Sequence, residues 1–395
     1  MVCHFHFNTM NKIITIILLF NSLIIFCQTS NKIKNKYLLD IQLQQSIIRG
    51  KKNSMGNLNK DFFPNKNTFS IAFGSCSSED DDLPIFNNIA KHQPDLFIFL
   101  GDNIYGDTKN IDTLKNKYHK LSKKLSFQNL IKNVAVIATW DDHDYGWNDI
   151  GKDYLLKNES KKVFLDFFGE RDSSSRRIHE GIYHSYYYQI KSKIIQVILL
   201  DLRSFRDDLT IYNGEFNEDK RYSFYKQDYA PNPSKDITML GKKQWLWLEN
   251  ELKVNADVRI IGSSTQFGIE WNGYESWENF PNEKQKMIDL IKNTKANNVF
   301  FISGDVHYSE ISKLETDFYP LYDFTSSGLS STWHFATPNK NRIEGPIMDN
   351  HFGLITIDFT DSKNEFVKFE NWDIHDNQRF EYTIDLKNID FKELE

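Results

Sequence analysis

Seven short apolar segments, each about 5–8 residues long, follow one another from residue 68 onwards and limit the folds open to this chain. They read FSIAFGSC, DLFIFLGD, VAVIATWDD, IIQVILLDLR, VRIIGSS, VFFISGD and FGLITIDF. Runs that are apolar at nearly every position are typical of strands covered on both faces. The spacers LPIFNNIAKHQP, GKKQWLWLENELK and NEKQKMIDLIKNTKAN can hold helices, and Met287, Ile288 and Ile291 share one helical face. This alternation predicts an α/β fold.

Six of the seven segments end in polar side chains. In chain order these are Cys76; Asp102; Asp141, Asp142 and His143; Asp201; Ser263 and Ser264; and Asp305 with His307. Sites in open α/β sheets form at the carboxyl ends of strands, so we expect these residues to converge on one pocket. So many carboxylates repel one another unless a cation is present, and the pattern therefore predicts a metal site.

Each motif taken alone also has a structural interpretation. Asp102 can cap a loop, Tyr105 can pack in the core, and TWDDHDYGWND can form a solvated acidic loop. Cys76 can be an inert buried thiol. The repetition of such residues at several strand ends is what favours a shared site.

Composition and charge narrow the class of protein. The 395 residues are 40% hydrophobic, which is enough for a large core. The net charge of -6 argues against a protein whose main work is to grip nucleic-acid backbone with bulk positive charge.

The amino-terminal residues resemble a targeting segment. Lys12 precedes an apolar run from Ile13 to Phe26, which predicts a signal peptide within residues 1–30 that starts at Met10. An uncleaved membrane anchor is the alternative, but the run is short of the roughly 20 residues that a membrane span needs. We therefore expect an exported protein, periplasmic, cell-surface or secreted, with no membrane span after removal of the signal.

The remaining chain divides into two parts. Residues 31–66 contain one amphipathic patch, YLLDIQLQQSII, and predict a linker with a docking helix, whereas residues 67–395 predict one large domain. Cys3 and Cys27 lie in the predicted signal segment, so the mature chain keeps Cys76 and forms no internal disulfide. We expect a monomer.

The ordered set FGSC, LGDNIYGD, TWDDHDYGWND, LLDLRSFRDD, LGKKQWLWLENEL, SGDVHYSE and FGLITIDF resembles the PhoD-like alkaline phosphatases, a branch of the calcineurin-like metallophosphoesterases. The resemblance covers roughly residues 68 to 360. It implies a four-layer α/β/β/α sandwich with a metal site at the carboxyl ends of the strands. It also implies hydrolysis of phosphomonoesters, with phosphodiesters as an alternative, by ferric iron and one or two calcium ions.

The resemblance also implies a role for each matching residue. Iron would be bound by Cys76, Tyr105 and His307, calcium by Asn148 and Asp305, with Asp102 bridging the metals and Asp142 and His143 as the catalytic pair. Ferric iron suits thiolate and phenolate ligands, and carboxylate and amide oxygens suit calcium. Zinc and manganese are the alternative metals.

This chain departs from the family pattern in three places. Residues 31–66 are too few for the immunoglobulin-like domain of the larger members. IIGSSTQFG offers Ser264, Thr265 and Gln266 where the wider superfamily usually has a histidine, an absence that the PhoD-like branch shares. The segment after residue 360 predicts edge strands rather than a helix that closes over the pocket.

Several alternatives remain open from the sequence. Arg203 could clamp phosphate, or it could pair with Asp201 or Asp207. His143 could serve only to position Asp142. The chain could also be a two-metal nuclease, or a non-catalytic surface protein that binds glycans or partners through exposed aromatic residues, namely Trp271, Tyr274, Trp277 and Trp333.

Overall fold

The computed structural model describes residues 60–63, 65–214 and 219–391. The predicted signal peptide and the docking helix predicted within residues 31–66 lie outside the described residues. Within these ranges, no helix is long and apolar enough to cross a membrane.

Two large β-sheets form the centre of the fold. The strands of the described residues are β1 Lys60–Phe63, β2 Thr68–Gly74, β3 Leu96–Leu100, β4 Ala135–Thr139, β5 His184–Ile190, β6 Lys193–Leu199, β7 Thr210–Ile211, β8 Tyr229–Ala230, β9 Val258–Ser263, β10 Val299–Ser303, β11 Ser309–Leu314, β12 Leu321–Ser326, β13 Arg342–Ile347, β14 His351–Asp358, β15 Phe366–Asp373 and β16 Gln378–Asp385. The first large sheet has the order β16-β15-β14-β2-β3-β4, the second has the order β1-β5-β6-β9-β10-β12-β11-β13, and β7 pairs with β8. All seven segments predicted as strands are therefore confirmed.

Strand direction explains where the polar residues gather. In the first sheet β2, β3 and β4 run parallel, and in the second sheet β6, β9 and β10 run parallel. Parallel neighbours end at the same edge of a sheet, so the six segments with polar ends deliver those ends together. The seventh segment, FGLITIDF, forms β14 and runs antiparallel to β2, so its own carboxyl end lies at the opposite edge.

The parallel strands of the first sheet, β2, β3 and β4, are apolar at nearly every position because both of their faces are covered. Alternate residues of β2, such as Ile71 and Phe73, belong to the core shared with the second sheet, whereas Ala72 belongs to the core under the helices. The two sheets meet where Phe324 of β12 stacks on Phe369 of β15, with ring centroids 4.5 Å apart.

Helices cover the outer faces of both sheets. Those of the described residues are α1 Ile85–His92, α2 Ile111–Ser122, α3 Leu125–Asn133, α4 Asp142–Tyr145, α5 Lys157–Phe167, α6 Ser175–Ile178, α7 Gly241–Leu252 and α8 Pro281–Thr294, with short 3-10 turns at Lys220–Tyr222, Trp277–Asn279 and Leu386–Ile389. The first sheet packs against α1, α2, α3 and α5, and the second against α7 and α8. The predicted four-layer α/β/β/α sandwich is confirmed.

Helix α8 shows how a helix with apolar residues on one face packs as an outer layer on the second sheet. It begins with Pro281, whose fixed φ suits the first helical position, and it ends at Lys295 in a left-handed conformation. Met287 and Ile291 are fully buried, and Ile288 packs partly buried against the same core. Burial of such a side chain contributes roughly 1.5–3 kcal/mol, so a polar residue at Met287 should loosen this layer.

The structure differs from the sequence interpretation in the antiparallel parts. Strands β5, β11, β12, β13 and β15 were not among the seven predicted segments, because their apolar residues alternate with polar ones or stand beside charges. Strand β1 pairs with β5 and extends the folded part to residue 60, within the segment assigned to the linker. After residue 360, β16 is an edge strand as predicted, but β15 lies between β14 and β16.

Candidate metal centre

Sharp turns at the ends of three strands point side chains into one pocket. Cys76 follows β2, Asp102 follows β3 and Asp305 follows β10, and their φ angles are 60°, 48° and 76°. His307, with a φ of 59°, has the same left-handed conformation. This conformation is uncommon outside glycine and costs on the order of 1–3 kcal/mol for each residue, so the surrounding structure must hold these turns in place.

The turns bring the predicted ligands together. Cys76 Sγ lies 3.4 Å from Asp102 Oδ2. Ligand atoms lie within 4.8 Å of one another in three overlapping groups, which are Cys76, Asp102 and His307; Asp102, Asp142 and His143; and Asp102, Asp141 and Asp305. Asp102 belongs to all three groups, which is the position that a bridging ligand would occupy.

Unpaired buried oxygen atoms test whether the site fits a cation. Asp102 Oδ1, the Tyr105 hydroxyl and Asp141 Oδ2 are buried and have no hydrogen-bond partner. Leaving a buried polar atom unpaired typically costs about 1–3 kcal/mol, so three of them at one site call for a missing partner. Bound cations would satisfy these atoms, and the residues therefore fit a metal centre.

The electrostatics of the pocket also favour a cation. Burial raises the pKa of Asp102, and the neighbouring Cys76 and Asp142 add to the effect. Burial likewise raises the pKa of Asp305, helped by Asp141 and Glu275. Without positive charge beside them these acids would take up protons, so their ionised forms depend on a bound cation.

One side of the pocket is formed by Cys76, Tyr105 and His307. These ligands would suit a metal that is softer or more strongly Lewis-acidic than calcium. Burial raises the pKa of Cys76 to about 12, although hydrogen bonds from Ser327 and Ser75 oppose the shift. Burial also raises the pKa of Tyr105. Both groups would therefore need a strongly acidic metal to lose their protons. Burial lowers the pKa of His307 to about 4, which keeps the imidazole neutral and able to ligate.

The turn that carries Tyr105 is fixed by a buried carboxylate. Glu79 Oε2 accepts a hydrogen bond from the Tyr105 backbone N–H at 2.9 Å, and the same carboxylate forms an ion pair with Lys117. The Tyr105 ring also contacts the His143 ring, with centroids 4.4 Å apart. The phenol is thus held beside both Cys76 and the catalytic candidate. Nothing in the sequence motifs singled out Glu79.

His143 is oriented by an aspartate at the pocket rim. Its Nδ1 lies 2.7 Å and 2.9 Å from the two carboxylate oxygens of Asp107, and its backbone N–H donates to Asp142 Oδ1 at 2.9 Å. Burial would lower the pKa of His143, but Asp107 and Asp142 outweigh it and raise the pKa to about 9. The side chain is partly exposed, so its second ring nitrogen can reach a substrate.

Arg203 lies behind the pocket rather than in it. The guanidinium is fully buried, donates from Nε to Asp141 Oδ1 at 2.6 Å and donates from a terminal nitrogen to Glu275 Oε2 at 2.8 Å. Neither Asp201 nor Asp207 is its side-chain partner, although the Arg203 backbone N–H donates to Asp201 Oδ1 at 3.0 Å. Arg203 therefore compensates buried carboxylates, while its second terminal nitrogen, Nη2, is buried without a hydrogen-bond partner and lies 3.9 Å from Asp142 Oδ1.

Two further residues complete the pocket, and the sequence had assigned neither of them a role as ligand or catalytic residue. Asp141 is fully buried and shares a group with Asp102 and Asp305, whereas the sequence motif favoured its neighbour Asp142. Thr265, which follows β9 where the wider superfamily has a histidine, donates to Asp305 Oδ2 at 2.9 Å. The position of Asp141 two residues after β4 placed it among the polar strand ends expected to converge, and Thr265 lies in the segment where the wider superfamily has a histidine, although neither was given a role.

Asn148 and the aromatic candidates are placed differently from the buried ligands. Asn148 is exposed at the rim, and its contacts are with Asp107 and Asp149. Trp271 and Trp277, expected to be exposed, are 7% and 0% exposed because their rings pack under the loops. Tyr274 and Trp333 are half-buried. The prediction that these four aromatic residues are exposed is therefore wrong for Trp271 and Trp277.

Comparison with known proteins agrees with this geometry. Residues 71–383 match a family model described as PhoD-like phosphatase. The alkaline phosphatase D of Bacillus subtilis (strain 168) is 26% identical over 298 residues, which cover 63% of this chain and 47% of that protein. The match thus spans less than half the length of that relative.

Two solved structures have the same fold. A structure of PhoD superposes with a TM-score of 0.64 at 19% identity, covering 84% of this chain and 72% of that one. A purple acid phosphatase from yellow lupin (Lupinus luteus) superposes with a TM-score of 0.54 at 13% identity, covering 82% of this chain and 56% of that one. These likenesses establish the fold, an α/β sandwich of two sheets between helical layers.

Proposed function

Since the chain belongs to the PhoD-like phosphatase family, we propose that it is an exported, metal-dependent hydrolase of phosphomonoesters, with phosphodiesters as alternative substrates. The observation that carries the proposal is the set of buried oxygen atoms without partners, on Asp102, Tyr105 and Asp141, at the place where the strand ends converge. A structural acidic loop would pair such atoms or expose them. A centre built to hold cations leaves them free for metal.

We assign the ligands by their chemistry. Cys76, Tyr105 and His307 would hold ferric iron, Asp102 would bridge, and calcium would take carboxylate and amide oxygens from Asp305, Asn148 and the Asp141–Asp142 pair. Zinc and manganese are the alternatives. When bound, such metals act as Lewis acids on phosphate oxygens and lower the pKa of water.

His143 is the residue of this chain best placed to move a proton. Asp107 binds Nδ1, which fixes the ring and leaves Nε2 to donate a proton to the leaving-group oxygen or to orient the phosphate. The alternative role, holding Asp142 through the His143 backbone N–H, rests on the 2.9 Å hydrogen bond to Asp142 Oδ1. The backbone bond survives replacement of the side chain, so mutation separates the two roles.

Arg203 would keep the carboxylates of the centre in place. By binding Asp141 and Glu275 from the protein side, it leaves the opposite side of Asp141 for a cation. Ser264 Oγ donates to the same Asp141 oxygen at 2.6 Å, so only Asp141 Oδ2 remains unpaired. Arg203 is thus a positioning residue.

The test is hydrolysis of p-nitrophenyl phosphate and bis(p-nitrophenyl) phosphate by protein loaded with iron and calcium. We expect turnover of the monoester, and expect Asp102→Asn, which keeps the side-chain size but weakens the bridge, to abolish it. Absence of turnover of both esters with metals loaded would favour the non-catalytic binding protein. Turnover of the diester alone would favour the nuclease.

A further inference from the structure

Five aromatic residues form a continuous row beside the metal centre. We name this row the aromatic wall, and it consists of Trp333, Tyr274, Phe335, Tyr225 and Phe224. It begins at the centre itself, because the Trp333 indole stacks on the His307 imidazole with centroids 5.6 Å apart and planes 8° apart.

Each ring of the wall contacts the next. Trp333 lies 5.1 Å from Tyr274 and 5.4 Å from Phe335, measured between ring centroids. Tyr274 stacks on Tyr225 at 5.4 Å with planes 10° apart, and Phe335 contacts Phe224 at 5.8 Å. The rings therefore extend without a break from His307 towards the surface, where Phe224 is 59% exposed.

The inner end of the wall is fastened to the metal centre by backbone hydrogen bonds. The N–H groups of Ser330 and Ser331 donate to the Cys76 carbonyl at 3.0 Å and 3.1 Å, and the Trp333 N–H donates to the His307 carbonyl at 3.1 Å. The indole is therefore held at a constant position relative to two candidate metal ligands. A surface fixed in this way loses little freedom on binding.

The outer part of the wall is fixed by Asn272. Its side chain accepts from the Tyr274 N–H at 2.9 Å and donates to Thr337 Oγ1 at 3.1 Å, while its carbonyl accepts from the Tyr225 hydroxyl. Three loops that come from distant parts of the chain are thereby joined. The wall is preorganised rather than a chance meeting of loops.

The rings of the aromatic wall are more exposed to solvent than the neighbouring aromatic residues that pack in the interior. Trp271 and Trp277 belong to neighbouring loops but are buried beneath them. In contrast, Trp333, Tyr274, Phe335 and Tyr225 are half-buried, so each keeps part of its surface towards solvent. Aromatic surface left open beside a reaction centre is available to a ligand.

We propose that the aromatic wall binds a planar aromatic ring in the leaving group of the phosphoester. The proposal rests on the proposed function, because the phosphate must sit at the metal centre for its leaving group to reach Trp333. The five rings carry no charge at neutral pH, and the neighbouring Lys226 is paired with Asp228 at 2.9 Å. The wall therefore suits a neutral ring better than a second phosphate, and stacking on aromatic side chains is tolerant of ring identity.

Two sources of such a ring are a nucleobase and an aryl alcohol, and paired substrates distinguish them. Adenosine 5′-monophosphate and ribose 5-phosphate lose the same kind of primary alcohol but differ by the base. 2-Naphthyl phosphate and phenyl phosphate are both aryl esters but differ in ring area. The measured quantity is the ratio of kcat/KM within each pair, which cancels effects common to both substrates.

Trp333→Ala should lower at least one of these ratios about 5- to 150-fold, the effect of losing one stacked ring. Trp333→Phe should keep most of the ratio, because a ring remains. The matched control is Trp247→Ala, since Trp247 is a half-buried tryptophan whose ring contacts Tyr183 rather than the wall; its ratios should equal those of the wild type.

Because Trp333 touches His307, metal content is measured for every variant and a second position is tested. Phe335 contacts rings of the wall and His334, and Phe335→Ala should lower the same ratio with its metals retained. A fall in the adenosine ratio identifies nucleoside esters, and a fall in the naphthyl ratio identifies aryl esters. Ratios that match the wild type in both variants would overturn the proposal.

Failure of the proposed function gives a separate result. If neither member of any pair were hydrolysed, quenching of tryptophan fluorescence would measure the binding of adenosine 5′-monophosphate and ribose 5-phosphate directly. Tighter binding of the adenosine compound, lost in Phe335→Ala, would support the wall without catalysis. Equal binding of the two compounds by the wild type would overturn it.

Discussion

Replacing Arg203 with methionine should cost much more stability than replacing an arginine at the surface. Arg203 is fully buried and binds Asp141 at 2.6 Å and Glu275 at 2.8 Å. Methionine retains much of the apolar stem but leaves Asp141 without its cation, while Glu275 keeps its pairing with Arg206 at 3.2 Å. Removing one partner of a buried ion pair typically costs about 3–5 kcal/mol, so we expect the free energy of unfolding of the metal-free protein to fall by about that amount.

The chain offers a matched control in Arg221. This side chain is 48% exposed, yet it also binds two carboxylates, Asp219 at 2.8 Å and Glu270 at 2.9 Å. Exposed ion pairs contribute about 0–1 kcal/mol, so Arg221→Met should change stability by no more than about that. Urea unfolding followed by fluorescence and circular dichroism measures both variants against the wild type.

Bound metal should reduce the difference in the free energy of unfolding between Arg203→Met and Arg221→Met. A cation in the pocket compensates Asp141 from the other side, so the Arg203→Met penalty should be smaller in metal-loaded protein than in metal-free protein. If Arg203→Met were no more destabilising than Arg221→Met in the metal-free protein, Arg203 could not be the cation that holds the carboxylates of the centre.

Three further predictions follow from single residues or from the ions. His143→Ala should lower turnover about 10²–10⁴-fold with both metals retained, whereas loss of metal in step with activity would make His143 a ligand. Chelation should abolish activity and calcium should restore it, and full activity after verified metal loss would refute this. Burial lowers the pKa of His351 to about 4, so the unfolded chain takes up its proton first. Stability should therefore fall by about 3 kcal/mol as pH drops from about 6.5 towards 4, and urea midpoints should show a smaller fall in His351→Gln.

The parallel strands and their polar ends could be predicted because the feature that marks them in the sequence, an apolar run followed by polar residues, is also what the fold requires of them. Continuous apolar runs are buried on both faces, and residues such as Asp102 and Asp305 follow them directly. The antiparallel strands were harder, since β5, HSYYYQI, mixes polar and aromatic residues without a continuous apolar run. Its pairing with β6 is local, because two residues, Lys191 and Ser192, separate the strands, whereas its pairing with β1 joins distant parts of the chain that local composition does not connect.

The supporting residues of the site could not be predicted for a related reason. Glu275 and Thr265 reach the centre from loops that only the fold brings near Asp141 and Asp305. The left-handed backbone of Cys76 is likewise imposed by the loops around it, whereas aspartate, the residue type at Asp102, adopts this conformation more often than most others. Burial of Trp271 and Trp277 was misjudged because a motif rich in aromatic residues does not reveal which rings face inward.

Metal analysis of protein purified without chelator tests the central claim most directly. We predict iron and calcium in the wild type, visible absorption from thiolate and phenolate on ferric iron, and loss of iron in Cys76→Ser. Tyr105→Phe should shift or bleach the visible band. A colourless protein that contains zinc, or a Cys76→Ser variant with its full iron content, would contradict the iron assignment, and a wild type that binds no metal at all would contradict the metal centre itself.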